Sequence, residues 1–220
     1  MVKQTSKRFN WRKALFAVGT VVLVAGSATV VKRVIDPGER VTQVLDGDTF
    51  RIDNGQSIRL FGLDAPELEY CFGKEAKDAL SEKVLGKKVI LKGLKTDIYK
   101  RIQAFVYVDG EFINEYLSKN GFAYYSGNKT EDSGIIREAS YYARNNKLGI
   151  FTEKCSPTAP IKKNCIIKGQ ISYTINRKIY LLPGCKNYGQ TNIEKFRGED
   201  YFCSEEEAKA AGFTKYFGCP

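Results

Sequence analysis

No histidine occurs in the 220 residues. That excludes a Ser-His-Asp hydrolase, a histidine-ligated metal nuclease or zincin, and any imidazole acid or base. Catalysis, if present, must run on carboxylates, arginine, lysine, thiols or a metal held by oxygen. The six cysteines also lack any C-x-x-C pair, so the strong zinc-site and thioredoxin signals are missing. Acidic side chains are absent from the first 35 residues, which carry seven basic ones. Beyond these gaps the composition is that of a folded chain, 43% apolar and 27% charged. The length fits one ordinary domain plus something smaller.

The net charge of +10 invites a polyanion, either nucleic acid or an anionic membrane. Its distribution weakens that inference. Residues 36–155 hold 18 basic and 19 acidic side chains, and residues 156–220 hold ten and six. The excess therefore sits at the two ends. At the N-terminus, Lys3, Lys7, Arg8, Arg12 and Lys13 precede an uncharged 18-residue run from Ala14 to Val31. As a helix it would span roughly 27 Å, near the thickness of a bilayer core. The positive flank predicts an N-terminus inside and an exported remainder. Ala25-Gly26-Ser27-Ala28 offers small residues suited to signal cleavage, so a secreted chain and a membrane-anchored one are both expected forms.

Export makes disulfides the natural use of the cysteines. Cys71 stands alone in the first half, whereas Cys155, Cys165, Cys185, Cys203 and Cys219 crowd the last third. A region that small usually needs staples. A four-cysteine zinc site is the alternative reading, and spacing does not decide between them. Cys155-Ser156-Pro157-Thr158-Ala159-Pro160 reads as a linker. Three parts follow: 1–35 as signal or anchor, 36–155 as the main domain, and 156–220 as a small Cys-containing module.

In the main domain Val41 to Asp46, Thr49 to Ile52, Ile58 to Leu63, Lys88 to Leu91 and Ala104 to Val108 alternate as strands. Asp53-Asn54-Gly55-Gln56 and Asp109-Gly110 mark turns. Ala76, Ala79, Leu80 and Val84 recur at helical spacing and close at Gly86; Ile135, Ile136, Ala139, Tyr142 and Ala143 do the same. Phe112 to Asn120 forms a shorter helix closed by Gly121. This order is compatible with a small five-stranded OB-fold barrel carrying three helices, in the α+β, mainly β class.

Three charged blocks could carry chemistry. In Asp46-Gly47-Asp48-Thr49-Phe50, strand parity puts Asp48 on the face of Phe50 and Ile52, where a carboxylate is costly unless a cation or donors meet it. Taken alone, the block reads equally as a turn. The third strand supplies Arg59 and ends in Asp64-Ala65-Pro66-Glu67, a set of oxygen donors suited to a hard divalent cation. Parity separates Arg59 from Asp64 unless the chain bends near Gly62; the plain alternative is a surface ion-pair network. Tyr99 and Arg101 form the third block, and two arginines facing one anion suit a phosphate. A lone arginine there would be a solvated strand-edge charge.

In their order and spacing these blocks are specific. Asp46-Gly47-Asp48-Thr49, Arg59-Leu60-Phe61-Gly62-Leu63-Asp64-Ala65-Pro66-Glu67, and Tyr99 with Arg101 and Ala104 resemble the thermonuclease, or staphylococcal nuclease-like, family. Asn114-Glu115 with Gly121, and Leu148-Gly149-Ile150-Phe151, extend the likeness over Val41 to Phe151. The resemblance implies a Ca2+-dependent phosphodiesterase. Asp48 and Asp64 match calcium carboxylates, with the Ala65 carbonyl completing the shell, and Glu67 matches the general base. Arg59 and Arg101 match the pair that binds the scissile phosphate and stabilises its five-coordinate transition state. Asp46 matches a supporting position and Tyr99 a phosphate contact. The implied partners are DNA, single- or double-stranded, and RNA, with the membrane as a further partner if the anchor is retained; the chain is expected to act as a monomer.

Some positions depart from the family pattern. Lys100 stands in place of a common glycine, Gln103 in place of leucine, and Ile98 where a basic residue can occur. The family's nucleotide-facing tyrosine has no clean counterpart, although Tyr124 and Tyr125 are close. Exported relatives commonly carry cysteines at the positions of Cys71 and Cys155, which implies that these two pair. Ile166 to Cys219 resembles a Cys-containing module found behind such domains, by Ile179-Tyr180-Leu181-Leu182-Pro183-Gly184, Phe202-Cys203-Ser204-Glu205-Glu206-Glu207-Ala208 and Ala211-Gly212-Phe213. Leu181 replaces a common histidine, which weakens the zinc reading. Ser204 with three following glutamates reads as a helix N-cap. The module is either purely structural or a surface for nucleic acid or cell wall. For the whole chain, the alternative to an enzyme is a barrel that binds nucleic acid without cutting it; retention of all five charged positions favours the enzyme.

Overall fold

A computed structural model describes residues 38–97, 101–127, 133–172 and 177–220. The N-terminal apolar run, Ile98, Tyr99 and Lys100 lie outside these residues. Among the described residues no helix is long and apolar enough to cross a membrane. Gly38–Pro220 packs as one unit.

Five strands close a barrel. They are β1 (Glu39–Val44), β2 (Thr49–Ile52), β3 (Ser57–Leu60), β5 (Lys88–Thr96) and β6 (Ile102–Val108), hydrogen-bonded in the order β3-β2-β1-β5-β6. A parallel pairing of Ile58, Arg59 and Leu60 with Ile102, Gln103 and Ala104 joins the ends. Phe50, Ile52, Ile58, Leu60, Val89, Ala104 and Val106 fill the interior. The alternation read from the sequence is therefore the inside-outside alternation of a barrel wall. The expected third strand, Ile58 to Leu63, is split: β3 stops at Leu60 and the two-residue β4 (Leu63–Asp64) begins after a bend. Gly62 makes that bend at φ +82°, in the left-handed region where a Cβ is strained. The β5 strand runs five residues beyond the expected end, because backbone pairing with β6 continues although its outer side chains are exposed.

Helix α1 (Gly73–Val84) buries Ala76, Ala79, Leu80 and Val84, the four residues whose spacing announced it. The chain continues through β7 (Glu111–Phe112) into α2 (Ile113–Lys119), then β8 (Tyr124–Tyr125) and α3 (Ser133–Asn145). Asn114 of α2 is fully buried and couples helix to barrel. Its Oδ1 accepts from the Val106 amide at 2.9 Å, and its Nδ2 donates to the Phe61 carbonyl at 2.9 Å.

The C-terminal part is a four-stranded sheet: β9 (Ile167–Ser172), β10 (Arg177–Leu181), β11 (Asp200–Phe202) and β12 (Thr214–Lys215), in the order β11-β9-β10-β12. Helix α4 (Glu205–Ala210) packs on it, capped as expected by the Ser204 hydroxyl, which accepts from the Glu207 amide. All six cysteines are paired: Cys71–Cys155, Cys165–Cys203 and Cys185–Cys219. The zinc alternative is thereby removed, and the pairing implied for Cys71 and Cys155 is present.

Candidate active site

The bend at Gly62 carries Asp64 back over the barrel mouth. Arg59 donates from Nη1 to Asp48 Oδ1 and from Nη2 to Asp64 Oδ1, each at 2.6 Å. One guanidinium thus bridges Asp48 and Asp64, although regular strand parity would have kept Arg59 and Asp64 apart. Asp48 is only 2% exposed. Its other oxygen accepts from the Ala65 amide at 3.0 Å, and the Thr49 hydroxyl donates to Oδ1 at 2.8 Å. The cation and the donors that a buried carboxylate requires are both present.

Burial pushes the Asp48 carboxyl up to about 7, and the neighbouring Asp46 adds to this, while Arg59, the Ala65 amide and the Thr49 hydroxyl pull it back. Burial also works against the Arg59 cation, but Asp48 and Asp64 outweigh it and hold the guanidinium above its ordinary value. Asp46 itself serves the turn: its Oδ1 accepts from the Asp48 amide at 3.0 Å. The turn reading and the supporting role of Asp46 are one arrangement.

These groups open onto a cleft of about 370 Å³ whose barrel side is formed by Arg59, Asp64, Ala65, Glu67, Tyr70 and Tyr124. Glu67 lies exposed on the loop after β4, free of the buried bridge. Tyr124 reaches the cleft because β8 pairs with β4, setting Tyr124 opposite Asp64. Burial raises its phenol, a rise that Arg197 opposes and Asp64 reinforces. Tyr124 therefore takes a place in the cleft that spacing alone left unassigned between two neighbouring tyrosines.

Arg101 is placed differently. It stands just before β6, with Nε 2.7 Å from Asp97 Oδ2 and its amide 2.8 Å from Asp97 Oδ1. Arg59 pairs with Gln103 across the parallel seam, so Arg101, two residues earlier, shares the face of Arg59. It does not line the cleft itself. Tyr99, expected beside it, lies outside the described residues.

Among the described residues, no three acidic, cysteine or histidine side chains gather as a metal-holding group. What is present is a pair of carboxylates, Asp48 and Asp64, bridged by Arg59, with the Ala65 backbone alongside. Hard oxygen donors of this class suit calcium, which also takes water and carbonyl ligands. The residues fit such an ion in donor chemistry.

The far side of the cleft comes from the C-terminal part, through Ile171 on β9 and through Phe196 and Arg197 in a single helical turn before β11. No sequence signal singled these out. Glu194 to Gly198 has neither strand nor helix periodicity, and only the fold brings it to the carboxylates.

A sequence profile described as staphylococcal nuclease homologue matches residues 57–153. An uncharacterised endonuclease of Escherichia coli is 31% identical over 125 residues, covering 55% of this chain and 80% of that protein. One from Haemophilus influenzae is 31% identical over 125 residues, covering 55% of this chain and 69% of its own length. A probable staphylococcal-like nuclease of Oryza sativa subsp. japonica is 43% identical over 68 residues, which is 31% of this chain and 20% of that protein. The matched stretch includes Arg59, Asp64, Glu67 and Arg101 on a closed five-stranded barrel. With the fold, the bridged carboxylates and these relatives in agreement, the chain belongs to the staphylococcal nuclease homologue family and is a phosphodiester-hydrolysing nuclease.

Proposed function

We propose that this nuclease acts outside the cytoplasm as a Ca2+-dependent enzyme that cuts DNA, with RNA as a second substrate. The observation that carries the reading is the Arg59 bridge to Asp48 and Asp64 beside the exposed Glu67. Asp48, Asp64 and the Ala65 carbonyl would hold the ion. A bound Ca2+ supplies charge neutralisation at the phosphate and makes water easier to deprotonate.

The protein's own groups then have distinct tasks. Glu67 is a carboxylate at the open side of the cleft, placed to take the proton of the attacking water. Two of the five N–H donors of Arg59 hold the acids in place. Its guanidinium also faces the cleft, where it meets charge that develops on the phosphoryl oxygens as water adds in line. Arg101, held by Asp97 on the same face of the barrel, is the second cation for those oxygens. Export and anchoring are supported by the basic flank and the apolar run at the N-terminus.

The test is cleavage of single- and double-stranded DNA and of RNA by the purified full chain, in calcium and in chelator. Glu67→Gln is expected to lower the rate by about 10²–10⁴-fold without moving the melting midpoint. Full activity in chelator would remove the calcium requirement. Undiminished activity in Glu67→Gln would remove the assigned base.

A further inference from the structure

We propose that the C-terminal module completes the active cleft and that Arg197, on that module, holds a backbone phosphate of the nucleic-acid strand next to the one being cut. The inference rests on the nuclease reading above and extends it beyond the matched domain.

The module's contribution is fixed in place. Phe196 is 1% exposed and belongs to a core shared with Ala143, Ile150, Phe151 and Cys155. Its ring centroid lies 5.9 Å from that of Phe151 and 5.4 Å from that of Tyr124. The Lys195 amide donates to the Cys155 carbonyl at 2.8 Å. Gly198 turns at φ +83°, and a Cβ there would meet the Tyr70 ring at 2.5 Å, so the turn sits directly on a cleft residue. Glu199, 5% exposed, accepts from the amides of Ile171 and Glu194 and ties both ends of this wall together.

Arg197 projects from this wall. Its guanidinium lies 4.3 Å from the centroid of the Tyr124 ring, and its Nη1 is 3.2 Å from Glu194 Oε2. The guanidinium also hydrogen-bonds the Tyr124 side chain, and Arg197 lines the cleft together with Arg59 and Asp64. Electrostatics gives it a task. Asp64 and Glu67 line the cleft, Asp48 is buried against Arg59, and residues 36–155 carry no basic excess. Arg59 is paired with two carboxylates, Arg101 with Asp97 and Arg197 with Glu194, so acids offset each of these cations before a strand arrives. A polyanionic strand entering here needs further positive charge, and Arg197 brings it from the basic C-terminal part. An isolated barrel would lack this contact.

The experiment measures binding of a short fluorescein-labelled single-stranded DNA by the full chain in a Glu67→Gln background with calcium, across a salt series. Arg197→Gln and Arg197→Lys are compared with the parent, and melting midpoints are recorded for all three. Expected results are binding weakened about five- to tenfold by Arg197→Gln and partly restored by Arg197→Lys. The slope of log affinity against log salt should fall by about 0.7, as for one lost single-strand phosphate contact. Unchanged affinity and slope overturn the proposal. So does a loss that follows a fall in melting midpoint and is not rescued by lysine, since Arg197 would then only brace the fold. The readout is independent of turnover. DNA bound through Arg197 by a chain whose Glu67 form cuts nothing would sustain this proposal while refuting the assigned chemistry.

Discussion

Arg59 Nη1 sits 2.6 Å from Asp48 Oδ1, and the Asp48 side chain is 3% exposed. Removing the arginine would strand a buried carboxylate. Arg59→Ala is therefore expected to cost about 3–5 kcal/mol of stability. It should also lower the cleavage rate by at least about 10²-fold. Combining it with Asp48→Asn should recover much of the stability and none of the activity. Chemical denaturation of the parent, both single variants and the double variant checks the coupling; additive losses would contradict it.

Asn114 bonds Val106 and Phe61 through opposite ends of one amide, and Phe61 immediately precedes the Gly62 bend. Asn114→Leu would leave a buried amide and a buried carbonyl without that partner. A loss of about 2–4 kcal/mol is expected, measured by urea unfolding. Asn114→Asp keeps the acceptor for Val106 and loses the donor to Phe61.

The Cys71–Cys155 disulfide spans 84 residues and begins four residues after Glu67. In the chain-entropy account, replacing both cysteines by serine should cost about 4–5 kcal/mol. Guanidinium unfolding of the oxidised parent and the double-serine protein tests this. A difference below about 1 kcal/mol would mean that the unfolded chain is already constrained by other means.

Glu199 is raised above its ordinary value of 4.5 by burial, against the pull of the Ile171 and Glu194 amides. The folded state thus binds this proton more tightly than the unfolded chain does. The resulting stabilisation is complete below the ordinary value and is lost as pH rises through the higher folded value. Glu199→Gln should flatten that decline, so that its melting midpoint gains on the parent's as the pH is raised from below the ordinary carboxylate value toward neutral. Parallel curves for the two proteins would show that Glu199 does not titrate across that range.

Most of the barrel could be read from side-chain alternation, because Phe50, Ile52, Ile58 and Leu60 each point where parity says. The conflict between Arg59 and Asp64 was equally legible: a regular strand forbids their meeting, and Gly62 is where the chain gives way. The length of β5 was hidden because Lys92, Leu94 and Lys95 are exposed, and backbone pairing leaves no mark on hydropathy. Cysteine partners in the last third could not be counted out from spacing. Arg197 was invisible for another reason. Its position depends on Phe196 finding a core built by Ile150, Phe151 and Cys155, a contact between segments about forty residues apart that no local pattern encodes.

The parallel seam between β3 and β6 gives the barrel one further property. Arg59 on β3 and Arg101 just before β6 flank it, and the whole of α1 and β5 lies between those strands in the chain. Loop closure makes such a pairing among the slowest events in assembling a small barrel. Until the seam forms, Arg101 stays apart from Arg59 and the two carboxylates that Arg59 bridges. The second of the two cations assigned to the phosphate thus joins the site only with the closing of the barrel.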